Sequence, residues 1–413
     1  MTTEPRKPAV RFIFVTLTLA IMGFGLLIPV LPKLIIQFQG DDVTRGSHAY
    51  GALVGIYALM QFIGSPILGS LSDRFGRRRI ILIATAGSAI DYTIMAVAPT
   101  LWWLFIARTI AGFTAGIFAT ANAYIVDVTP PEKRASAFGL LGAAFAIGFV
   151  IGPFLGGLLG KIDIHLPFWF SAGCAAVNFL WGFFVLPESL SSDHRREFSW
   201  SRANPIGALL ALKRFPAVLG LVESFFFLML AQMMMYSLWA LYTSHRFGWG
   251  TDHVGFSLMV AGVLMGIVQG GLVKKVVPKL GETRAALIGF TVSCLTYIGY
   301  GFAGSTWMMY AVMVFGSLAG IAGPSMQAYI TKHVPANEQG AVQGVFSGLQ
   351  SLAGIPGPII GTYIFGWSVL PGHPAWMEGL AFFAAAAFVV IAIVLAVRAF
   401  SQYAPEQPAQ AGA

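Results

Sequence analysis

The sequence predicts an all-α integral membrane protein of twelve transmembrane helices in two parallel six-helix halves. Composition is the first reason: the 413 residues are 57% hydrophobic and 10% charged, with a mean hydropathy of +0.75. Soluble domains carry about 25% charged residues, so this much apolar surface belongs in a bilayer. The second reason is segmentation: the apolar residues fall into twelve runs of about 20, the length that crosses a hydrocarbon core of about 30 Å. The third is an internal repeat at an offset of 205 residues. Tyr124-Ile125 falls on Tyr329-Ile330, Pro130 on Pro335, Gly139 on Gly344, and Gly152-Pro153 on Gly357-Pro358. The register holds without a gap from 76 to 156, turns included. Two parallel six-span repeats with a binding site between them form a transporter pattern.

The first six spans are expected at 11–32, 49–70, 79–98, 101–127, 136–160 and 166–187. The second six are expected at 216–242, 251–276, 283–303, 305–328, 340–366 and 376–398. Domain boundaries follow: 1–190 for the first half, 191–215 for a charged linker and 216–413 for the second half. The first apolar run lacks an A-x-A-like cleavage site, so it reads as a span and not a signal peptide. An even number of spans puts both termini on one side. Twenty Lys and Arg residues fall on that side; Lys33, Arg45, Lys161 and Arg246 fall on the other, and Arg108 lies within a span. The positive-inside bias therefore places both termini in the cytoplasm, with a bacterial inner membrane as the expected location.

Several function classes are excluded. The +8 net charge sits in short loops between apolar runs and signals no nucleic-acid partner. Cys174 and Cys294 both lie inside apolar segments, which argues against a disulfide framework or a zinc site. Neither H-E-x-x-H nor a Walker A sequence is present, so neither an enzyme nor direct use of ATP is expected. No cofactor and no metal are expected. The partners are a small-molecule substrate, protons and the bilayer, and the chain is expected to act as a monomer.

The stretch GSLSDRFGRRRIIL, 69–82, is a very short charged turn between spans two and three. It makes those helices antiparallel neighbours. Gly69 and Gly76 permit close approach and turning, and Asp73 can pair with Arg74, Arg77 or Arg78. Asp127 ends span four as Asp73 ends span two. Within the spans, Arg108 stays charged and needs a partner. It lies about 10 Å from the outer end of span four, and Asp91 about 10 Å from the outer end of span three. Equal depth on consecutive antiparallel helices allows a pair; the sequence leaves the facing open. In the repeat, Asp73 falls on Pro278, Arg108 on Met313 and Asp127 on Lys332, so the ionisable residues concentrate in the first half.

Gly148, Gly152, Pro153, Gly156 and Gly157 in span five offer small residues four apart, a face for close helix approach, with a proline that bends the helix. Gln61, Asn122, Gln232, Gln269, Gln327, Gln343 and Gln350 are costly in hydrocarbon and are expected to face a cavity or another helix. Met233, Tyr236, Trp239 and Met265 would add adaptable surface to such a cavity. Each of these residues can equally serve helix packing.

The sequence resembles the major facilitator superfamily, and within it the twelve-helix drug:proton antiporters of the tetracycline-efflux type. The resemblance rests on GLLIPVLP, YALMQF, GSLSDRFGRR, AGSAIDYT, ARTIAGFTAG, GFVIGPFLGG and RFGWGTDHVGFSL, and covers nearly the whole chain. It implies proton-coupled efflux of small amphipathic molecules by alternating access. It also implies that Asp73, Arg77 and Asp127 form a gating charge network, and that the span-five glycines are an antiporter signature bending against the second half. Asp91 and Arg108 then become the proton-coupling candidates, with Glu223 as the alternative acid. An uncoupled facilitator or a metabolite or sugar exporter of the same fold is the alternative within transport; a receptor or membrane enzyme lies outside it. The chain departs from the tetracycline-efflux pattern where Ala20, Met265 and Ser293 replace ionisable positions of the cation pathway. Expression is therefore expected to raise tetracycline tolerance little, measured as growth inhibition of a sensitive host. A large rise, lost on mutating Gly152 or Asp91, would overturn that expectation.

Overall fold

The computed structural model describes residues 7–191, 193, 195–200, 204, 216–332, 346 and 348–402. Most of the predicted 191–215 linker, and the start of the eleventh span with Gln343, lie outside the described residues. Eleven helical stretches among the described residues are long and apolar enough to cross a membrane. The first half holds α1 (Lys7–Leu27), α2 (Leu31–Phe38), α3 (Val43–Phe75), α4 (Arg77–Val97), α5 (Leu101–Thr114), α6 (Ile117–Val128), α7 (Arg134–Ile162) and α8 (Leu166–Val185). The second holds α9 (Pro216–Phe247), α10 (Thr251–Ile267), α11 (Val273–Leu280), α12 (Glu282–Phe302), α13 (Thr306–Ser317), α14 (Ala322–Lys332), α15 (Pro356–Ser368) and α16 (Leu380–Gln402).

Element ends follow local chemistry. The first span stops at Leu27 and not at 32, because Pro29 cannot continue a helix; Leu31–Phe38 starts afresh with a proline in its first turn. The second span begins six residues earlier than expected, where Asp42 caps α3 by accepting from the Arg45 backbone N–H at 2.9 Å. At 33 residues α3 is about 50 Å long, so its ends extend past the hydrocarbon core. The turn from α3 to α4 is the single residue Gly76, at φ +100°. Gly281, its equivalent in the repeat, joins α11 to α12 at φ +78°. Few other residues adopt that backbone conformation at no cost. The repeat also appears as breaks within membrane segments. The fourth span is interrupted between α5 and α6, and the tenth by a tight turn at Leu318–Ile321 between α13 and α14.

Within the first half α1 packs along α7, α3 along α5 and α4 along α8; within the second, α16 packs along α9 and α12. The halves meet along two seams, α3 with α15 and α7 with α10. Thr44 Oγ1 donates to the Gly366 carbonyl at 2.9 Å, and the His48 ring stacks on Tyr363 with centroids 4.4 Å apart. On the other seam Thr251 Oγ1 donates to the Gly157 carbonyl at 3.1 Å, and Lys161 pairs with Asp252 at 2.7 Å. Gly157 and Gly255 face each other so closely that a Cβ on either would stand 3.0 Å from the other's Cα. All these contacts lie at the end of the bundle away from Gly76.

Gly255→Leu should wedge this seam open, since a side chain forced into a filled contact costs about 1–3 kcal/mol. Thermal unfolding of the purified protein should show the loss; an unchanged midpoint would mean that the seam does not support this conformation.

Candidate functional site

Asp91 on α4 and Arg108 on α5 pair across the membrane interior, as equal depth allowed. Both are buried, at 1% and 4% exposed. Arg108 Nε donates to Asp91 Oδ1 at 3.1 Å and its Nη2 bonds Oδ2, so the contact is a two-pronged fork. Geometry of this kind is what lets a guanidinium–carboxylate pair survive without water. The guanidinium also lies 5.4 Å from the centre of the Tyr57 ring and 5.9 Å from that of Tyr92, which adds attraction from both ring faces. Helix packing positions these groups. Gly112 of α5 sits on the Tyr57 carbonyl, and Gly23 of α1 on the Tyr92 ring. Tyr57 in turn touches Phe24, with centroids 6.1 Å apart, so the pair connects to α1 through one aromatic layer.

At the Gly76 end, Arg77 joins Asp73 and Asp127. Its Nη1 lies 2.5 Å from Asp73 Oδ1 and its Nε 3.2 Å from Asp127 Oδ2. Nη1 also donates to Ser72 Oγ at 2.5 Å. The network includes groups that the sequence reading missed. Glu188 Oε1 accepts from the Arg77, Ser189 and Leu190 backbone N–H groups, at 2.8, 3.0 and 3.2 Å. Ser189 Oγ donates to Asp127 Oδ2 at 3.0 Å. Glu188 thereby places a carboxylate at the N-terminus of α4, where a helix dipole favours negative charge. A Cβ on Gly76 would overlap that carboxylate. The network ties the ends of α3, α4 and α6 to the segment after α8; the signal in the sequence was the L-P-E-S that closes the sixth span. Arg78 donates to the Phe183 carbonyl at 2.5 Å, and Arg74 lies over the Phe75 ring at 5.1 Å. Gly69 has open space where a Cβ would stand, so no close approach uses it in this conformation.

The second half carries the same brace with its charges exchanged. At the offset of 205, Arg77 corresponds to Glu282 and Asp127 to Lys332. Lys332 Nζ bonds Glu282 Oε1, joining the start of α12 to the end of α14 as Arg77 and Asp127 join α4 to α6.

The span-five glycines divide between two partners. Gly148, Gly152 and Gly156 rest on the backbone of α1 at Thr18, Met22 and Leu26, within their own half. Residues four apart share one helix face, and that face meets α1. Only the neighbouring face, with Pro153 and Gly157, meets the second half at Gly255. The expectation that the whole stripe bends against the second half is therefore corrected.

The cavity candidates also divide. Gln232 donates to the Tyr236 hydroxyl at 3.1 Å, and the Tyr236 ring lies 6.5 Å from Phe149 of α7, so this pair stands between the halves. Asn122, Gln269 and Gln350 are exposed, and Gln61, Gln327 and Met265 are half-buried. Met233 packs on Gly357 of α15. Trp239 is a packing group and not a cavity wall: it is buried among Trp249 and Tyr300, and its Nε1–H donates to Ser257 Oγ at 2.9 Å. Ser293, at a departure from the cation-pathway pattern, is buried and returns its hydroxyl to the Gly289 carbonyl at 2.9 Å. Glu223 is exposed.

Two variants test the braces. Arg77→Ala should remove most transport in vesicles while leaving insertion and expression intact; wild-type rates would sink the gating role. Glu282→Lys alone should impair transport by placing like charges together, and adding Lys332→Glu should restore it. Equal defects in single and double variants would mean the two charges do not act on each other.

Comparisons with known proteins identify the family and agree with the fold. The profile of the Major Facilitator Superfamily matches residues 13–358 and 279–413. The tetracycline resistance protein, class C, of Escherichia coli is 38% identical over 89% of this chain and 92% of its own length. The class H protein of Pasteurella multocida is 33% identical over 91% and 92%. The crystal structure of the human organic anion transporter MFSD10 superposes with a TM-score of 0.69 over 95% of this chain and all of the other, at 23% identity. The chain belongs to the Major Facilitator Superfamily, and it is a membrane transporter homologous to tetracycline resistance proteins.

Proposed function

We propose that this chain exports small amphipathic molecules across a bacterial inner membrane in exchange for protons, with both termini in the cytoplasm. The observation that carries the proposal is the buried Asp91–Arg108 fork. A charged pair is costly to hold away from water, so ionisable groups inside spans point to function, and a carboxyl group is the simplest carrier of one proton. Protonation of Asp91 removes its charge and frees Arg108; loss of the proton restores the fork. The aromatic layer of Tyr92, Tyr57 and Phe24 links that event to α1, which packs on the seam helix α7. With the basic end cytoplasmic, the closed seams lie toward the outside, so this conformation would receive substrate from the cytoplasm.

The names of the relatives, tetracycline resistance proteins, support the export reading, since a transporter that moves a drug out of the cell confers resistance. The uncharged Gln232–Tyr236 pair, and Ser293 turned into helix packing, favour a substrate other than a magnesium–tetracycline chelate. The half boundaries at 1–190, 191–215 and 216–413 suit a single copy that contains a whole pathway.

Asp91→Asn separates proton coupling from a static tie between α4 and α5. In inverted vesicles with a trapped pH dye, the variant should lose substrate-driven proton flux and uphill export, and keep downhill exchange. Accumulation of substrate against a gradient by Asp91→Asn would remove Asp91 from this role and leave Glu223 as the leading acid.

A further inference from the structure

We propose that the groove between α10–α11 and α13 binds an anionic glycerophospholipid, with its headgroup on Lys275 and an acyl chain along the groove. The groove is a cavity of about 500 Å³ walled by Leu264, Ile267 and Leu272 on one side and by Phe315 and Leu318 on the other, with Lys275 at one end. Its floor has a local cause. Val268–Leu272 is a single wide π turn between α10 and α11, and such turns recur at functional places in helices. Gly271 lies in that turn and has nothing within 4 Å of where a Cβ would stand, so the wall is open there.

The groove faces lipid. Ile267 is 64% exposed; the exposed Trp307 and Val314, seven apart on α13, share one helix face with Trp307 at its outer end, and the exposed Leu318 follows in the turn after α13. A tryptophan at the end of an apolar stripe marks the membrane–water boundary. Depth agrees. Lys275 lies 24 residues beyond Thr251, about 36 Å along the helix axis, against a core of about 30 Å, so its ammonium reaches the opposite headgroup layer. Leu264 lies 11 residues back from Lys275, about 16 Å, which is the depth of one leaflet.

Charge selects the headgroup. Lys274, Lys275 and Lys279 are exposed, and among the described residues none of them makes an ion pair. The nearest acid in sequence, Glu282, is engaged by Lys332. An uncompensated lysine cluster at the end of an apolar slot complements one phosphate oxyanion and one hydrocarbon chain. A basic pocket between spans at the cytoplasmic surface is a recognised form of lipid-headgroup site. A lysine near an anionic headgroup is worth about fivefold in affinity.

The test is native mass spectrometry of the delipidated full chain in neutral detergent, titrated with phosphatidylglycerol and, separately, phosphatidylcholine of the same acyl chains. Wild type should retain phosphatidylglycerol over phosphatidylcholine, and Lys275→Gln should cut that preference by about fivefold. Lys275→Arg should keep it. Leu318→Trp, which fills the groove from an exposed position, should lower retention of both lipids with an unchanged unfolding midpoint. Glycerol 3-phosphate, which has no acyl chain, should not compete. The proposal is overturned if the two lipids are retained equally, if the preference survives Lys274→Gln, Lys275→Gln and Lys279→Gln together, or if a well-folded Leu318→Trp retains lipid as wild type does.

Discussion

A hydrocarbon core offers no water to a charge or a peptide group, so each must find its partner inside the protein. The main features of this molecule answer that demand. Helices satisfy the backbone. The Asp91–Arg108 fork satisfies the charged groups buried in the first half, with Tyr57 and Tyr92 closing around the guanidinium. Three buried hydroxyls turn back to carbonyls of their own helices: Thr243 to Trp239, Ser293 to Gly289 and Thr362 to Pro358. Polar surface between the halves and charge at the helix ends lie where a transporter acts.

The two halves share a plan and divide the labour. Gly76 and Gly281 make the same one-residue turn, and the fourth and tenth spans break at corresponding places. The braces Arg77–Asp127 and Glu282–Lys332 occupy corresponding sites with opposite charge. The exchange keeps opposite charges paired at this position in both halves. The first half adds Ser72, Asp73, Glu188 and Ser189 around its arginine. It also holds the membrane-buried ion pair, whose counterpart positions in the second half are Thr296 and Met313. The buried charge pair therefore belongs to one half, which meets the other along the seams α3–α15 and α7–α10.

Those seams explain the density of glycine near them. Close backbone approach lets Thr44 reach Gly366 and Thr251 reach Gly157, so each half donates one hydroxyl to a carbonyl of the other. Beside these glycines, the described contacts between the halves include two hydroxyl bonds, one partly exposed ion pair and the His48–Tyr363 stack. That suits an interface that must open and close.

The sequence by itself determined the membrane class, eleven of the spans to within several residues, the repeat and the identity of the buried acid and base. Each of these is written locally, in composition, in run length, or in the rarity of a charge within an apolar run. It also pointed to Arg77 with Asp73 and Asp127, because a very short turn confines them. The tertiary structure alone decided the facing. Gly148, Gly152 and Gly156 turned to α1, Trp239 into its own half, and Glu188 reached α4 from 111 residues away. The physical reason is rotational. A helix surrounded by apolar material on all sides presents no polar face to orient it, so the angle about its axis is settled by packing against neighbours distant in sequence.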